Sequence, residues 1–169
     1  MMDKIPLILR AVQLLFIVIL TALIGNVIAT NWNAAGSATA AINFSMFVIV
    51  VSWLASIFGL AATFLDRIAI PVALLGMDAF ATVFTFIDAI VLSAKLGAVN
   101  CAAPGVRDGS WIAYGTPNTE KRCREIQASA AFMWFLFALF AVTLFFEFMS
   151  FRRSGGSVRS GPGMSQVRV

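Results

Sequence analysis

Apolar positions in this chain run in long, nearly unbroken blocks rather than alternating with the period of a half-exposed helix or strand. No charged residue occurs between Arg10 and Asp66. That stretch divides at the polar, small-residue segment Thr30-Asn31-Trp32-Asn33-Ala34-Ala35-Gly36-Ser37. The division predicts a first span at about 11–30 and a second at about 42–65, each near the ~20 residues that cross a bilayer core. Asp66-Arg67 marks a tight turn, and Pro71 suits the first turn of a third span at about 69–95. A long polar loop precedes a fourth span at about 126–151, by the same length criterion. The first apolar run is longer than the ~7–15 residues of a secretory leader, so it reads as an uncleaved anchor. The predicted fold is an all-α integral membrane protein, a four-transmembrane-helix bundle over residues 1–151. Residues 152–169 are rich in Gly and Ser with no apolar periodicity, which predicts a disordered basic tail.

Composition agrees with the spans. Of 169 residues, 60% are hydrophobic and only 12% charged, and the mean hydropathy is +0.92. A chain this short cannot enclose that much apolar surface in one water-soluble core. The chain has no His, which excludes His-based triads and imidazole metal sites. Two Cys alone build neither a zinc nor an iron–sulfur centre. No nucleophile–base set stands out, so the sequence predicts no enzyme, no metal and no resident cofactor.

The net charge of +4 gathers near span ends and forms no basic face with interleaved aromatics, which argues against nucleic acid. Lys4, Arg10, Arg67, Arg152, Arg153, Arg159 and Arg168 fall on one side of a four-span topology. Arg107, Lys121, Arg122 and Arg124 fall on the other, with Lys95 at a helix end. The excess predicts both termini in the cytoplasm. Cys101 and Cys123 flank the long loop. In an oxidising compartment they can close it, worth about 3 kcal/mol of chain entropy; the alternative is two free thiols.

The block Arg122-Cys123-Arg124-Glu125-Ile126-Gln127-Ala128 running into Ala131-Phe132 resembles the MARVEL-domain tetraspanning proteins, and within them the fungal non-classical export protein family associated with eisosomes. Asn43-Phe44-Ser45-Met46-Phe47, Met77-Asp78-Ala79-Phe80, Val83-Phe84-Thr85-Phe86 and the tail's Ser165-Gln166-Val167 carry the same likeness. Cys101 then supplies the family's partner cysteine. The resemblance implies a plasma-membrane organiser linked to sterol- and sphingolipid-rich furrow domains. Its implied partners are membrane lipids, further copies of itself and cytosolic cortical scaffold proteins.

Polar residues inside the spans are the candidate functional positions. An ionised Asp at the bilayer centre costs about 2.5–3.5 kcal/mol, so Asp78 and Asp88 are expected to face the bundle interior or a wet cavity. At 100° per residue Asp78, Thr82 and Thr85 share a stripe, with Asp88 about 80° aside. The leading reading makes the two acids hydrogen-bonded glue for groups such as Gln13, Asn26 or Ser52. The competing readings make them lipid-headgroup or gating residues, or an ion, proton or solute path, which needs acids paired with bases on several helices. Glu147 is expected to pair with Arg152 or Arg153, or to reach the interface. Ser52, Ala55, Ser56 and Gly59 form a small-residue seam for helix packing. Phe132, Phe135, Phe145 and Phe146, with Arg152 and Arg153, are candidate lipid contacts, the rings for sterol faces and the cations for anionic headgroups. Trp32, Trp111 and Tyr114 are candidate interfacial anchors. A junction or adhesion tetraspan is a third class, disfavoured because the segment near residues 31–41 has no Cys.

Overall fold

A computed structural model describes residues 4–64 and 71–153. They form four helices: α1 (Lys4–Ala29), α2 (Gly36–Phe64), α3 (Pro71–Leu96) and α4 (Thr119–Arg153). All four are long and apolar enough to cross a membrane. The Asp66-Arg67 turn and the Gly/Ser-rich tail lie outside the described residues.

Three helices, α1, α2 and α4, begin about two turns earlier than the apolar runs suggest. In α1, Pro6 sits in the first turn, where its missing N–H removes no helical bond, and Arg10 falls inside the helix rather than ahead of it. In α4, the Asn118 side chain accepts a hydrogen bond from the Lys121 backbone N–H at 3.0 Å. This N-cap starts the helix before the cysteine, so Arg122, Cys123, Arg124 and Glu125 are helical and not loop.

Each helix packs against its sequence neighbours, and α1 also packs against α4, closing a four-cornered ring. The diagonal pairs, α1 with α3 and α2 with α4, do not approach backbone to backbone. Ile17, Leu20, Ile49, Leu92, Met133 and Phe140 are fully buried between the helices.

The loop after α3 is folded back over the bundle. Cys101 and Cys123 form a disulfide. Trp111, Ile112 and Ala113 are buried, and Trp111 Nε1 donates to the Leu96 carbonyl at the end of α3, 3.0 Å away. Trp111 is therefore a loop-packing residue and not an interfacial anchor; Tyr114 stacks edge-on against it at 5.1 Å. Trp32, 78% exposed, is free to act as an anchor. Its backbone N–H donates to the Gly115 carbonyl at 2.9 Å, tying the two loops together. Gly115 has φ +94°, and a Cβ there would lie 2.5 Å from the Ala34 Cα, so this crossing needs glycine.

Candidate functional site

The polar residues within the spans collect into two separate groups. The larger lies about two turns in from the end of the bundle that carries the chain termini. Arg10 of α1 reaches across the diagonal to Asp78 of α3, with Nη1–Oδ1 at 2.8 Å and Nη2–Oδ2 at 2.5 Å. Nη2 also donates to Glu147 Oε1 of α4 at 2.6 Å, and Nη1 to Gln13 Oε1 at 3.2 Å. Gln13 Nε2 in turn donates to Thr143 Oγ1 of α4 at 3.1 Å, and Ser56 of α2 donates to Gln13 Oε1 at 3.4 Å. One guanidinium thus sits at the centre of a network that touches all four helices.

Reach and room explain why Arg10 and no shorter cation occupies this place. Packed neighbours lie about 8–10 Å axis to axis, and diagonal helices are further apart. A long side chain with a planar two-pronged end spans that gap and grips a carboxylate at both oxygens. Gly59 of α2 supplies the room: an added Cβ would fall 2.6 Å from Arg10 Nη2, with Cζ and Nε also in its way. Arg10 is 3% exposed and Asp78 1%. In so dry a place a lone charge would cost several kcal/mol, and close pairing with further hydrogen bonds is what makes burial tolerable.

This arrangement corrects two expectations. Arg10 does not serve as a charge ahead of the first span. Glu147 is bonded to Arg10, rather than to Arg152 or Arg153, because its side chain turns inward between α1 and α4. Among the proposed glue partners, Gln13 joins the cluster. Ser52 instead bonds back to the Val48 carbonyl of its own helix, and Asn26 belongs to the opposite end. Ser52, Ala55, Ser56 and Gly59 are all buried. Thr82 and Thr85 donate to the carbonyls of Asp78 and Ala81 within α3.

Asp88 stands apart. It is fully buried, and Ser45 of α2 donates to its Oδ1 at 2.7 Å, while Oδ2 has no partner among the described residues. Ten residues separate it from Asp78, about 15 Å along the helix, and no described chain of hydrogen bonds joins the two. Lys95 is exposed at the end of α3.

The second group caps the loop end. Arg122 is 2% exposed. It donates through Nε to the Ile112 carbonyl at 3.3 Å, and through Nη1 to the Val27 carbonyl at 3.3 Å and Asn31 Oδ1 at 3.4 Å. Val27 lies in the last turn of α1, whose carbonyls lack helical donors and carry the negative end of the helix dipole. Asn26 Nδ2 donates to Glu125 Oε1 at 2.6 Å. Arg124 pairs with Glu120 one turn back, on the exposed side. The local sequence thus closes the disulfide, caps α1 and pins the loop within four residues. Sequence position alone puts Arg122 among the loop charges; the signal for its burial is its place beside Cys123.

The candidate lipid-facing rings divide. Phe145 and Phe146 are exposed and touch each other, 6.0 Å apart, and Phe135 is exposed. Phe132 is half-buried against Phe16 of α1 at 5.6 Å. Arg152 is exposed and lies over the Phe148 ring, 5.9 Å from its centroid; the Arg153 side chain lies outside the described set. A further aromatic patch joins exposed Phe47 of α2 and Phe80 of α3 to half-buried Phe44 and Phe84, with neighbouring rings 4.3–6.4 Å apart.

A family model described as a membrane-associating domain, MARVEL, matches residues 4–146, which include Arg10, Asp78 and both cysteines and stop one residue short of Glu147. Non-classical export protein 2 of Saccharomyces cerevisiae is 32% identical over 134 residues, covering 79% of this chain and 73% of that protein. Non-classical export protein 2 homolog 1 of the same yeast is 27% identical over 161 residues, 95% of this chain and 88% of that protein. No solved structure gives a significant match. With four membrane-length helices and a family match across nearly its whole length, the chain belongs to the MARVEL family of membrane-associating tetraspans.

Proposed function

We propose that this protein is a non-enzymatic organiser of the plasma membrane. It gathers sterol- and sphingolipid-rich lipid around its helices, associates laterally with further copies of itself and scaffolds eisosome-like compartments together with cytosolic cortical proteins. The observation that carries this reading is the direction in which the intramembrane charges face. Arg10, Asp78 and Glu147 are spent on one another inside the ring, and Asp88 turns to Ser45. The outer surface left to the bilayer is apolar and aromatic on all four helices, from Leu15 and Leu54 to Phe80 and Phe135. Flat, stiff rings such as Phe145 and Phe146 offer faces on which sterol rings can lie.

In this reading both termini face the cytoplasm. Removing Arg10 and Arg122, which the fold consumes, leaves six basic residues on the terminal side against three on the loop side, so the bias keeps its direction. A disulfide across the loop fits an oxidising exterior.

The transport reading gains one feature, since a basic and two acidic residues do meet across three helices. It loses another, because the cluster and Asp88 are separate. Gentle extraction from native membrane, followed by mass measurement and lipid analysis, tests the proposal. The expected result is homo-oligomers enriched in sterol or sphingolipid. Monodisperse monomers with bulk lipid would refute it, and a pH-driven proton flux lost in Asp78→Asn would replace it with transport.

A further inference from the structure

Two adjoining hollows open between the end of α1 and the start of α4, and Asn118, Lys121 and Glu125 line both. The first, of about 380 Å³, is also walled by Thr30, Trp32, Thr116 and Arg122. The second, of about 480 Å³, runs on past Glu120 and Arg124 to Leu23 and Ala128. We propose that they form one site for a phospholipid whose phosphodiester carries an uncharged, hydroxyl-rich ring, an inositol-type headgroup of the leaflet on the loop side. This deepens the lipid-gathering reading and rests on it only for the premise that the helices sit in a bilayer.

Charge selects the phosphate. In the first hollow Lys121 and Arg122 face a single carboxylate, Glu125, which leaves one positive charge unbalanced. In the second, Glu120 and Arg124 pair at 2.7 Å and cancel. Lys121 is exposed and stands 3.7 Å from Glu125, too far for a hydrogen bond, so its N–H groups remain free to donate. Arg122 donates through Nε and Nη1; Nη2 has no partner among the described residues and is not enclosed by them. The first turn of α4 adds backbone N–H groups and the positive end of its dipole. A phosphodiester brings one negative charge and balances the hollow. A choline or ethanolamine headgroup adds its own cation and leaves the excess in place.

Trp32 and its polar neighbours select the ring. The indole is 78% exposed, while the Trp32 backbone N–H is tied to the Gly115 carbonyl at the crossing that needs glycine. A flat apolar wall is thereby held beside Thr116. Thr30 Oγ1 donates to the Asn26 carbonyl and keeps its lone pairs. Asn118 accepts at Oδ1 and keeps its amide donors. A polyol ring offers C–H groups to the indole face and hydroxyls, each both donor and acceptor, to these partners. Depth then selects a lipid over a soluble phosphate. Leu23 lies six residues inside the end of α1 and Ala128 nine inside the start of α4, about 9 and 13 Å of depth. In helices longer than the ~30 Å hydrocarbon core, acyl chains begin near that level. The second hollow thus passes from charged to apolar walls as a lipid passes from phosphate to chain.

The experiment uses the full chain in nanodiscs of phosphatidylinositol, phosphatidylglycerol and phosphatidylcholine with matched acyl chains. Protein-retained lipid is counted by native mass spectrometry. Wild type is expected to retain the inositol lipid over both others, over choline through charge and over glycerol through the ring. Lys121→Met should cut the inositol-over-choline preference about fivefold. Trp32→Leu should cut the inositol-over-glycerol preference about fivefold while sparing glycerol over choline. Both side chains are exposed, and a general loss of folding cannot produce such a split. Equal retention of inositol and choline lipids by wild type overturns the proposal. So does a full inositol-over-glycerol preference in Trp32→Leu, which an interfacial anchor alone predicts. Competition by soluble glycerophosphoinositol as strong as by the lipid overturns the choice of a lipid. Oligomer mass is read on the same samples: wild-type monomers that keep the preference refute the organiser and support the site, and oligomers without it do the reverse.

Discussion

Substituting Gly59 by alanine adds one methyl group, and its consequence follows from what surrounds Arg10. The new Cβ falls within van der Waals contact of three guanidinium atoms, with Nη2 at 2.6 Å. An arginine end would ordinarily swing aside at small cost. Here it is held from three directions by Gln13, Asp78 and Glu147 over bonds of 2.5–3.2 Å, so no shift of the guanidinium preserves them all. Breaking a buried pair costs about 3–5 kcal/mol. The better helix propensity of alanine returns at most about 1 kcal/mol, which leaves a net loss of about 2–4 kcal/mol. Gly76→Ala in α3 is the matched control, since a Cβ there meets nothing within 4 Å. Reversible unfolding in mixed detergent, followed by circular dichroism, measures both. The effect should also disappear in an Arg10→Ala background, where the methyl has space, giving a coupling of opposite sign to the single loss. Equal stability of Gly59→Ala and Gly76→Ala would refute the claim that Gly59 exists to admit Arg10.

Three further outcomes are expected. Reducing the Cys101–Cys123 disulfide, or replacing both cysteines by serine, should lower stability by about 3 kcal/mol, since it closes a loop of sequence separation 22; unfolding with and without reductant reads this. Arg122→Met should cost about 2–3 kcal/mol by leaving the Val27 and Ile112 carbonyls without their donor, whereas Arg124→Met, two residues away on the exposed side, should cost only about 0.3–0.5 kcal/mol. Ser45→Ala should destabilise by about 1–3 kcal/mol, because it removes the donor to a fully buried Asp88, and restoring stability with Asp88→Asn in the same chain would confirm that the charge causes the loss.

The four spans were legible because length and apolarity are properties of a segment alone. Pairing of charges is a property of the packed bundle. Asp78 and Asp88 looked equivalent, being the same residue type ten positions apart on one helix. Which helix supplied a partner depended on the ring order, and Asp78 found a guanidinium while Asp88 found a hydroxyl. Arg10 was hidden by its position next to an apolar run, where a basic residue normally marks orientation. Only the knowledge that the helix starts at Lys4 turns it inward. Gly59 was legible as a small residue in a seam but not as the space for a particular side chain. Arg122 and Arg124 flank one cysteine and read alike, yet a 100° turn per residue sends the first into the cap and the second into solvent.

The placement of the two polar groups has a consequence for what the bundle can do. At the terminal end, a network centred on one guanidinium touches four helices, α2 through Ser56 and Gln13; at the loop end, a disulfide and Arg122 fasten α4, α1 and the loop. Between them the core contacts are mostly apolar, with the Ser45–Asp88 hydrogen bond as a polar tie between α2 and α3, and close-packed apolar surfaces have few alternative registers. Alternating access needs a centre at which the halves separate, whereas this bundle is clamped at both ends. A clamped bundle presents a fixed outer shape, and a fixed shape is what lets identical copies meet along the same helical faces repeatedly. Loosening one clamp, as Gly59→Ala does at one end and disulfide reduction at the other, should therefore weaken lateral assembly along with stability. Oligomers that persisted undiminished after both clamps were released would show that assembly uses surface rings alone and owes nothing to the rigidity of the core.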